Sequence, residues 1–554
     1  MSWYTKRDIL PERLKERADG TDSRVNLLQG VPVLRITTDA PLGVTYENDY
    51  HNTKDTVGLM TDGVTAKTNS YQDPAYFHFS RGGGRSIVFK LESLSAVQSV
   101  SVGFLREDEV GVRLPRRVDV YLSPDGENWQ RVIKARNIAS KDTPETVIIS
   151  ADFEKPYIAG YITVEFDVPC HIWVDEVQAI GTTKIPADAV EITAEEKEGC
   201  DEVRYVDKYP EYSDLCGIHN IMLAYNCLPP KNMRDERSGL TTVEQFIPHL
   251  GYINKSGEMT DTFFDSMLFL PYSAYTYSSL YKCADGWKYY VDNTFAENAN
   301  VDALDKAAAE VQSRLGLDEL KIKVFLSILH TKVTYGDFPE KFGDLDGDGV
   351  DEDINSFEGR KKAVKWCIDT QLERYAEKDR AHLELSGFYW FEEVINYSDE
   401  FELPLLEFAR EYVHSKGLKL IWIPYFEAWG YADWKENGFD VACMQPNYAF
   451  RKQEPVKRLY DNAAMTKQLG MCYELEIGGL SPEDIERYTQ YLDCGAETGF
   501  MQTIKMYYQG GVPGEFYRSF ESDDPVTRSV YDNTYLFAKE KYVSRGLVKP
   551  EDIE

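Results

Sequence analysis

The chain has 554 residues, 43% of them hydrophobic, which is enough for two or three cores because a single core stops growing near about 250–300 residues. The formal net charge of −32 excludes nucleic-acid backbones and anionic membrane surfaces as natural partners, since both need clustered Lys and Arg. No apolar run reaches the roughly 18 residues of a membrane span, so no membrane-spanning segment is expected.

Residues Met1 to Leu10, MSWYTKRDIL, lack the apolar core of a secretory signal. The nine cysteines form no CxxC pair, and Cys227, Cys367, Cys443 and Cys472 sit in apolar stretches. They read as buried thiols, which points to a cytoplasmic protein, or an extracellular one if a signal was trimmed. From about residue 25 to 183 short alternating segments are divided by turn residues, as in Ser86 to Leu91, Val97 to Leu105, Arg117 to Leu122, Thr146 to Ile149 and Tyr161 to Phe166. This pattern predicts an antiparallel β-sandwich. In RVDVYLSPDGENW, Arg117 to Trp129, a strand enters a Pro-Asp-Gly turn, after which Trp129 is expected to return to the core. The segment resembles the discoidin or family-32 carbohydrate-binding modules, and LMTDG, Leu59 to Gly63, is similar to their calcium-adjacent turn. The resemblance implies a galactose-binding-like jelly roll. Tyr76, His78, Arg81 and Arg106 are its candidate sugar-binding residues, against a structural appendage as the alternative. RGGGR, Arg81 to Arg85, lacks the ending of a phosphate loop and is expected to be a hairpin turn.

The first domain is expected over 1–190 and a polar linker over 191–203, which carries the Glu195-Glu196-Lys197-Glu198 run. From 204 to 554 strand-like and helix-like runs alternate. Strands are expected at Ile218 to Tyr225, Ser266 to Leu270, Lys323 to Leu329, Leu383 to Trp390, Leu418 to Tyr425, Val441 to Gln445, Met471 to Glu476 and Phe500 to Lys505. Eight such units with crossover helices predict a (β/α)8 TIM barrel, whose chemistry gathers at the C-terminal ends of the strands.

Those ends are rich in carboxylates and aromatics. The fourth ends GFYWFEE with Glu393, and the fifth carries Trp422, Tyr425 and Glu427. The sixth is followed by Gln445 and Asn447, and the seventh holds Glu474 and Glu476 two residues apart on one face. A pair of carboxyls across a barrel mouth suits glycosidic hydrolysis, one protonating the leaving oxygen while the other attacks carbon or activates water. Glu393 is the expected general acid/base and Glu476 the nucleophile or base, with Glu474 orienting it or exchanging roles. Glu476 is expected to be the free member of its pair, with Glu474 held by Gln445, Asn447 or Lys505. Gln445 and Asn447 can hydrogen-bond sugar hydroxyls. Tyr225, Tyr389, Trp390, Trp422 and Tyr425 are candidate stacking platforms, and Glu427 a further pocket residue.

Asp344, Asp346 and Asp348 have the spacing of a calcium loop, with Gly349 at its turn, but Asn355 stands where an EF-hand has Glu. A structural calcium and a solvated acidic loop are both open readings, and no cofactor is needed for the chemistry. The second domain resembles the DUF4855 family, a bacterial group related to glycoside hydrolases. The resemblance lies in FFDSMLFLPY (Phe263 to Tyr272), FGDLDGDGVDEDINSF (Phe342 to Phe357), WCID (Trp366 to Asp369), GFYWFEE, WIPYFEAWG, GFDVACMQPNYAF (Gly438 to Phe450) and YELEI. It implies a barrel with Glu393, Gln445, Asn447, Glu474 and Glu476 as pocket residues, and Glu427 departs from it. Two functions follow as expectations: a glycoside hydrolase, and a non-catalytic saccharide-binding or cell-envelope protein on the same scaffold. Acidic groups converging in one cleft would favour the first.

Overall fold

A computed structural model describes residues 4–6, 24–38, 57–80, 84–107, 110, 112–136, 145–168, 171–193, 206–226, 239–271, 282–331, 341–396 and 399–546. The chain divides into two compact units between Tyr205 and Val206. Most of the expected linker, and with it the Glu195 to Glu198 run, lies outside the described residues, as do Arg81, Cys227 and the three glycines' first two positions in RGGGR.

The first unit is built from nine strands in one antiparallel sheet. They are β1 (Tyr4–Lys6), β2 (Val25–Asn26), β3 (Val33–Thr38), β4 (Phe77–Ser80), β5 (Gly84–Leu105), β6 (Arg117–Ser123), β7 (Gln130–Arg136), β8 (Thr146–Asp167) and β9 (His171–Thr182). β5 and β8 are each 22 residues long, and pairs of segments expected as separate strands are halves of one. Register shifts at Lys90/Ser95 and Val97/Ser99 break β5, a bulge that bends a strand. Its first half pairs with β3 and the end of β8, and its second half with β9 and the start of β8. The sheet thus doubles over into two layers joined by β5 and β8. Phe89, Val120 and Val164 from one layer share a core with Val102, Phe104 and Val174 from the other.

Three readings of this unit change. Trp129 is half-buried, and its indole N–H donates to the Gly126 carbonyl (3.1 Å), so it braces the turn instead of entering the core. Tyr76 and His78 are buried, His78 stacking on Trp173 with ring centroids 3.9 Å apart, out of reach of a sugar. Among the described residues a groove of about 650 Å³ lies along Leu59 to Ala75, lined in part by Asp62, Thr65, Lys67 and Thr68.

The second unit contains a closed barrel of eight parallel strands. In chain order the strands are β10 (Asn220–Tyr225), a small hairpin of β11 (Gly251–Ile253) and β12 (Met259–Thr262) outside the barrel, then β13 (Ser266–Leu270), β14 (Ile322–Ile328), β15 (Leu383–Trp390), β16 (Lys419–Trp422), β17 (Val441–Met444), β18 (Cys472–Glu476) and β19 (Lys505–Tyr508). α-Helices follow seven of the eight barrel strands. They are α1 (Val243–Leu250), α2 (Ala284–Thr294), α3 (Asn300–Leu315), α4 (Phe357–Ala376), α5 (Glu402–Ser415), α6 (Lys457–Leu469), α7 (Pro482–Thr498), α8 (Glu515–Phe520) and α9 (Pro525–Ala538). After β16 the chain makes only a 3-10 turn at Tyr431–Asp433, so the fifth crossover has no α-helix. The eighth strand also differs from expectation: Phe500–Gln502 is a 3-10 turn and β19 begins where the predicted strand ends.

Alternation along the strands fills the barrel with Leu223, Leu268, Phe325, Tyr389, Ile421, Cys443, Cys472 and Met506. Tyr389 therefore points inward and Trp390 outward. Trp390 and Trp422 are fully buried in the layer outside the strands, Trp390 edge-on to His330 and Trp422 stacked on Phe439. Neither is a sugar platform. Cys367, Cys443 and Cys472 are buried free thiols.

Candidate functional site

The candidate site follows from where β15, β17 and β18 end. Cys472, Glu474 and Glu476 share one parity on β18, and Cys472 belongs to the barrel interior, so both glutamates face inward. Glu474 is level with Met506 and Glu476 with Tyr508, which places Glu476 one layer nearer the rim. Glu393 stands three residues beyond β15 and is half-buried. The side chains are close enough for Glu393 to raise the proton affinity of both strand glutamates, and for Glu476 to raise that of Glu474.

Loss of water is the largest influence on all three, because burial disfavours the charged form. It pushes Glu393 up to about 7, with Glu392 adding to the rise and a hydrogen bond from Gln445 opposing it. Glu474 is raised well above the ordinary carboxylate range, by burial first and then by its two acidic neighbours. Glu476 is likewise raised by burial to about 7, with Glu393 adding to the rise, and its anion is partly favoured by Tyr491 on α7, which donates its phenol O–H to Oε2, and by the Tyr448 and Ala449 amides. The expectation that Glu476 is the free member of the pair is thus reversed. Glu476 is the anchored carboxylate, and Glu474 Oε2 is buried without a hydrogen bond. Lys505 plays no part, since its ammonium donates to the Met501 and Thr503 carbonyls, 2.8 and 2.7 Å away.

The remaining expected residues separate into two groups. Gln445 belongs to the site: its amide donates to Ile423 O (2.9 Å), it hydrogen-bonds Glu393, and its backbone bridges to Tyr425. Asn447 is half-buried two residues further on, with its backbone in the left-handed region at φ 54°. Tyr225 and Tyr425 are half-buried at strand ends, with Tyr225 Oη 3.3 Å from Tyr508 Oη. Tyr389, whose phenol donates to the Phe391 carbonyl (3.5 Å), feels the charges of Glu393 and Glu474 but is 2% exposed, so it offers no platform. Glu427, half-buried at φ 65°, occupies the tip of the turn after β16. Sequence reading missed Tyr491, Tyr508 and Phe450, the last 49% exposed and edge-on to Tyr508. The parity of β19 would have found Tyr508 had its start been placed at Lys505.

The acidic loop is built as a loop should be. Asp344 accepts from the Gly347 and Gly349 amides, and oxygen atoms of Asp344, Asp346 and Asp348 lie within 4.8 Å of one another. Lys362 on α4 brings a positive charge to its centre, its ammonium 2.9 Å from Asp346, 3.0 Å from Asp348 and 3.0 Å from the buried Glu352, while Lys288 donates to the Asp344 carbonyl (2.7 Å). The donor set fits calcium, and Lys362 competes for it.

No curated protein matches the chain. Over its N-terminal part the chain is similar to solved carbohydrate-binding modules. One is CBM32-3 from a family 31 glycoside hydrolase of Clostridium perfringens, 13% identical, covering 28% of this chain and 94% of that one with a TM-score of 0.20. Another is a fucose binding module of Streptococcus pneumoniae, 18% identical, covering 29% and 98% with a TM-score of 0.20. A third is the C-terminal domain of a chitobiase from Bacteroides fragilis, 13% identical, covering 29% and 99% with a TM-score of 0.21. Likenesses at these TM-scores decide neither ligand nor activity. The family described as "Domain of unknown function (DUF4855)" matches residues 221–536, which takes in the barrel strands from the second residue of β10 onward and all three site glutamates. The chain belongs to the DUF4855 family.

Proposed function

We propose that the barrel is a glycoside hydrolase of (β/α)8 type, cleaving O-glycosidic bonds of an oligo- or polysaccharide. One observation carries the reading: a half-open Glu393 and a Glu476 anchored by Tyr491, both raised to about 7, converge at one barrel mouth. A carboxyl titrating near neutrality is suited to give and take a proton at working pH. Glu393 protonates the glycosidic oxygen as its bond to the anomeric carbon breaks. Glu476, whose anion is favoured by Tyr491 and two amides, attacks that carbon, and water activated by the deprotonated Glu393 then releases the sugar and restores Glu476. This retaining route needs carboxyls about 5–5.5 Å apart, whereas about 6.5–9.5 Å would place a water between them and invert configuration. NMR of the first product anomer separates the two. The half-buried Tyr225, Tyr425 and Tyr508 supply apolar faces for a sugar ring. A screen of aryl glycosides and polysaccharides tests the reading, with Glu393→Gln as control.

Burial of Glu474 and Glu476, 2% and 1% exposed, favours a second reading in which the mouth binds saccharide without cleaving it. Binding of an oligosaccharide that the wild-type protein leaves intact would establish that alternative.

A further inference from the structure

Hydrolysis by the proposed route uses two carboxyls, and the barrel mouth holds three. The third, Glu474, is 2% exposed, and its Oε2 atom makes no hydrogen bond. It shares its strand face with Glu476, so it aims into the barrel, and its charged neighbours are Glu476 and Glu393. Among the described residues no lysine, arginine or histidine forms an ion pair with any of the three. A buried carboxyl oxygen without a donor bears the full cost of lost hydration, and a second carboxyl beside it adds repulsion. A ligand that enters this mouth meets both shortfalls at once. A sugar hydroxyl would supply a donor and leave the repulsion in place. An ammonium supplies three N–H donors and a positive charge.

We propose that the sugar bound at the cleavage point carries a free amino group, so that the substrate is an oligomer or polymer of amino sugars that are not N-acetylated, with Glu474 receiving the ammonium. The inference rests on the hydrolase reading of the same mouth. The geometry is consistent with a 2-amino group. Carbon 2 adjoins the anomeric carbon that Glu393 and Glu476 flank, and Glu474 is the next inward residue on the strand, about 6–7 Å below Glu476. N-acetylation removes the charge, so it abolishes the attraction. The chain's net charge of −32 draws a polycation toward the protein from a distance.

The test compares full-length Glu393→Gln, which binds without turning over, with Glu393→Gln/Glu474→Gln. Calorimetry at low salt measures three probes on each: glucosamine or galactosamine oligomers, their N-acetylated counterparts, and neutral glucose or galactose oligomers. The expected result is a preference of at least about tenfold for the amino-sugar oligomers, falling to under about threefold when Glu474 is replaced, with neutral oligomers bound equally by both proteins. Circular dichroism confirms that the double variant is folded. Equal binding of all three probes, a preference that survives Glu474→Gln, or no binding at all overturns the inference. Wild-type turnover of the same probes separates the two claims. Cleavage of neutral or acetylated oligomers without preference sinks the amino-sugar inference and leaves the hydrolase standing. Glu474-dependent binding of amino-sugar oligomers without cleavage of any probe does the reverse.

Discussion

Three glutamates within one barrel mouth titrate upward for a shared reason, loss of water, and differ because their donors differ. Glu393→Gln should keep the fold and lose at least about 100-fold in kcat on whichever glycoside is cleaved, the usual scale for losing a general acid–base group. Tyr491→Phe removes the phenol donor from Glu476, so the anion is less favoured. The acid limb of the kcat/KM profile should then move up by about one pH unit, the size of one hydrogen bond to a charged group. An unmoved limb would remove Glu476 from the mechanism. The same groups give the fold a pH dependence of definite sign. Their folded-state pKa values lie above the ordinary 4.5, and that of Glu393 is near 7. Their contribution to stability is complete below about pH 4.5 and is lost as pH rises through the raised folded-state values, about 7 for Glu393 and Glu476. The fall in Tm between about pH 5 and 8 should be smaller in Glu474→Gln than in wild type, measured by calorimetry. The inward direction of Glu474 and Glu476 was legible from their two-residue spacing. Which of them is anchored was not, because Tyr491 arrives from a helix fifteen residues later. The same alternation also contained the fate of Trp390: once Tyr389 faces the barrel, its neighbour must face the helices.

At the scale of elements, seven of the eight barrel strands lay within apolar runs bounded by polar turns, and the eighth did not. Phe500 to Ile504 has the apolar character of a strand. Gly499 at φ 90° turns the chain, and Phe500 instead stacks on Tyr473 with ring centroids 3.8 Å apart. β19 starts on Lys505, a residue that breaks any apolar pattern yet is fully buried because two carbonyls satisfy it. Periodicity cannot see such a compensation. Gly387 in β15 shows how tightly these strands are fitted. A Cβ there would meet the Lys419 carbonyl oxygen at 2.3 Å and the Phe325 ring at 2.6 Å. Gly387→Ala should destabilise the barrel by about 1–3 kcal/mol, the usual cost of overpacking, read from a denaturant midpoint. The acidic loop yields a prediction in the other direction. Lys362 already places its ammonium among three of these carboxylates, so a chelator should leave the wild-type Tm unchanged, while Lys362→Met should bind calcium at least about tenfold more tightly by calorimetry. A wild-type Tm that falls by several degrees with the chelator would show that the ion, not the lysine, is the resident charge.

At the scale of the whole molecule, the change in texture from short alternating strands to alternating strands and helices marked two units, and the contact pattern divides the chain between Tyr205 and Val206. Residues 1–205 and 206–554 should each fold when produced alone, with near-native circular dichroism and a cooperative transition. Precipitation of the isolated barrel while the full chain stays soluble would contradict this. What the texture did not show is that the first unit's two layers are threaded on the same two strands. It reads as many short pieces because the bulges in β5 interrupt the alternation that would reveal a 22-residue strand. That threading fixes how the unit can come apart. Neither layer can shed its edge-to-edge pairing beyond the bulge without exposing amides of β5 and β8 that the other layer also uses. Deuterium should therefore enter the central amides of both layers together, in one concerted opening, and a mechanical pull on the unit should meet a single rupture peak instead of two.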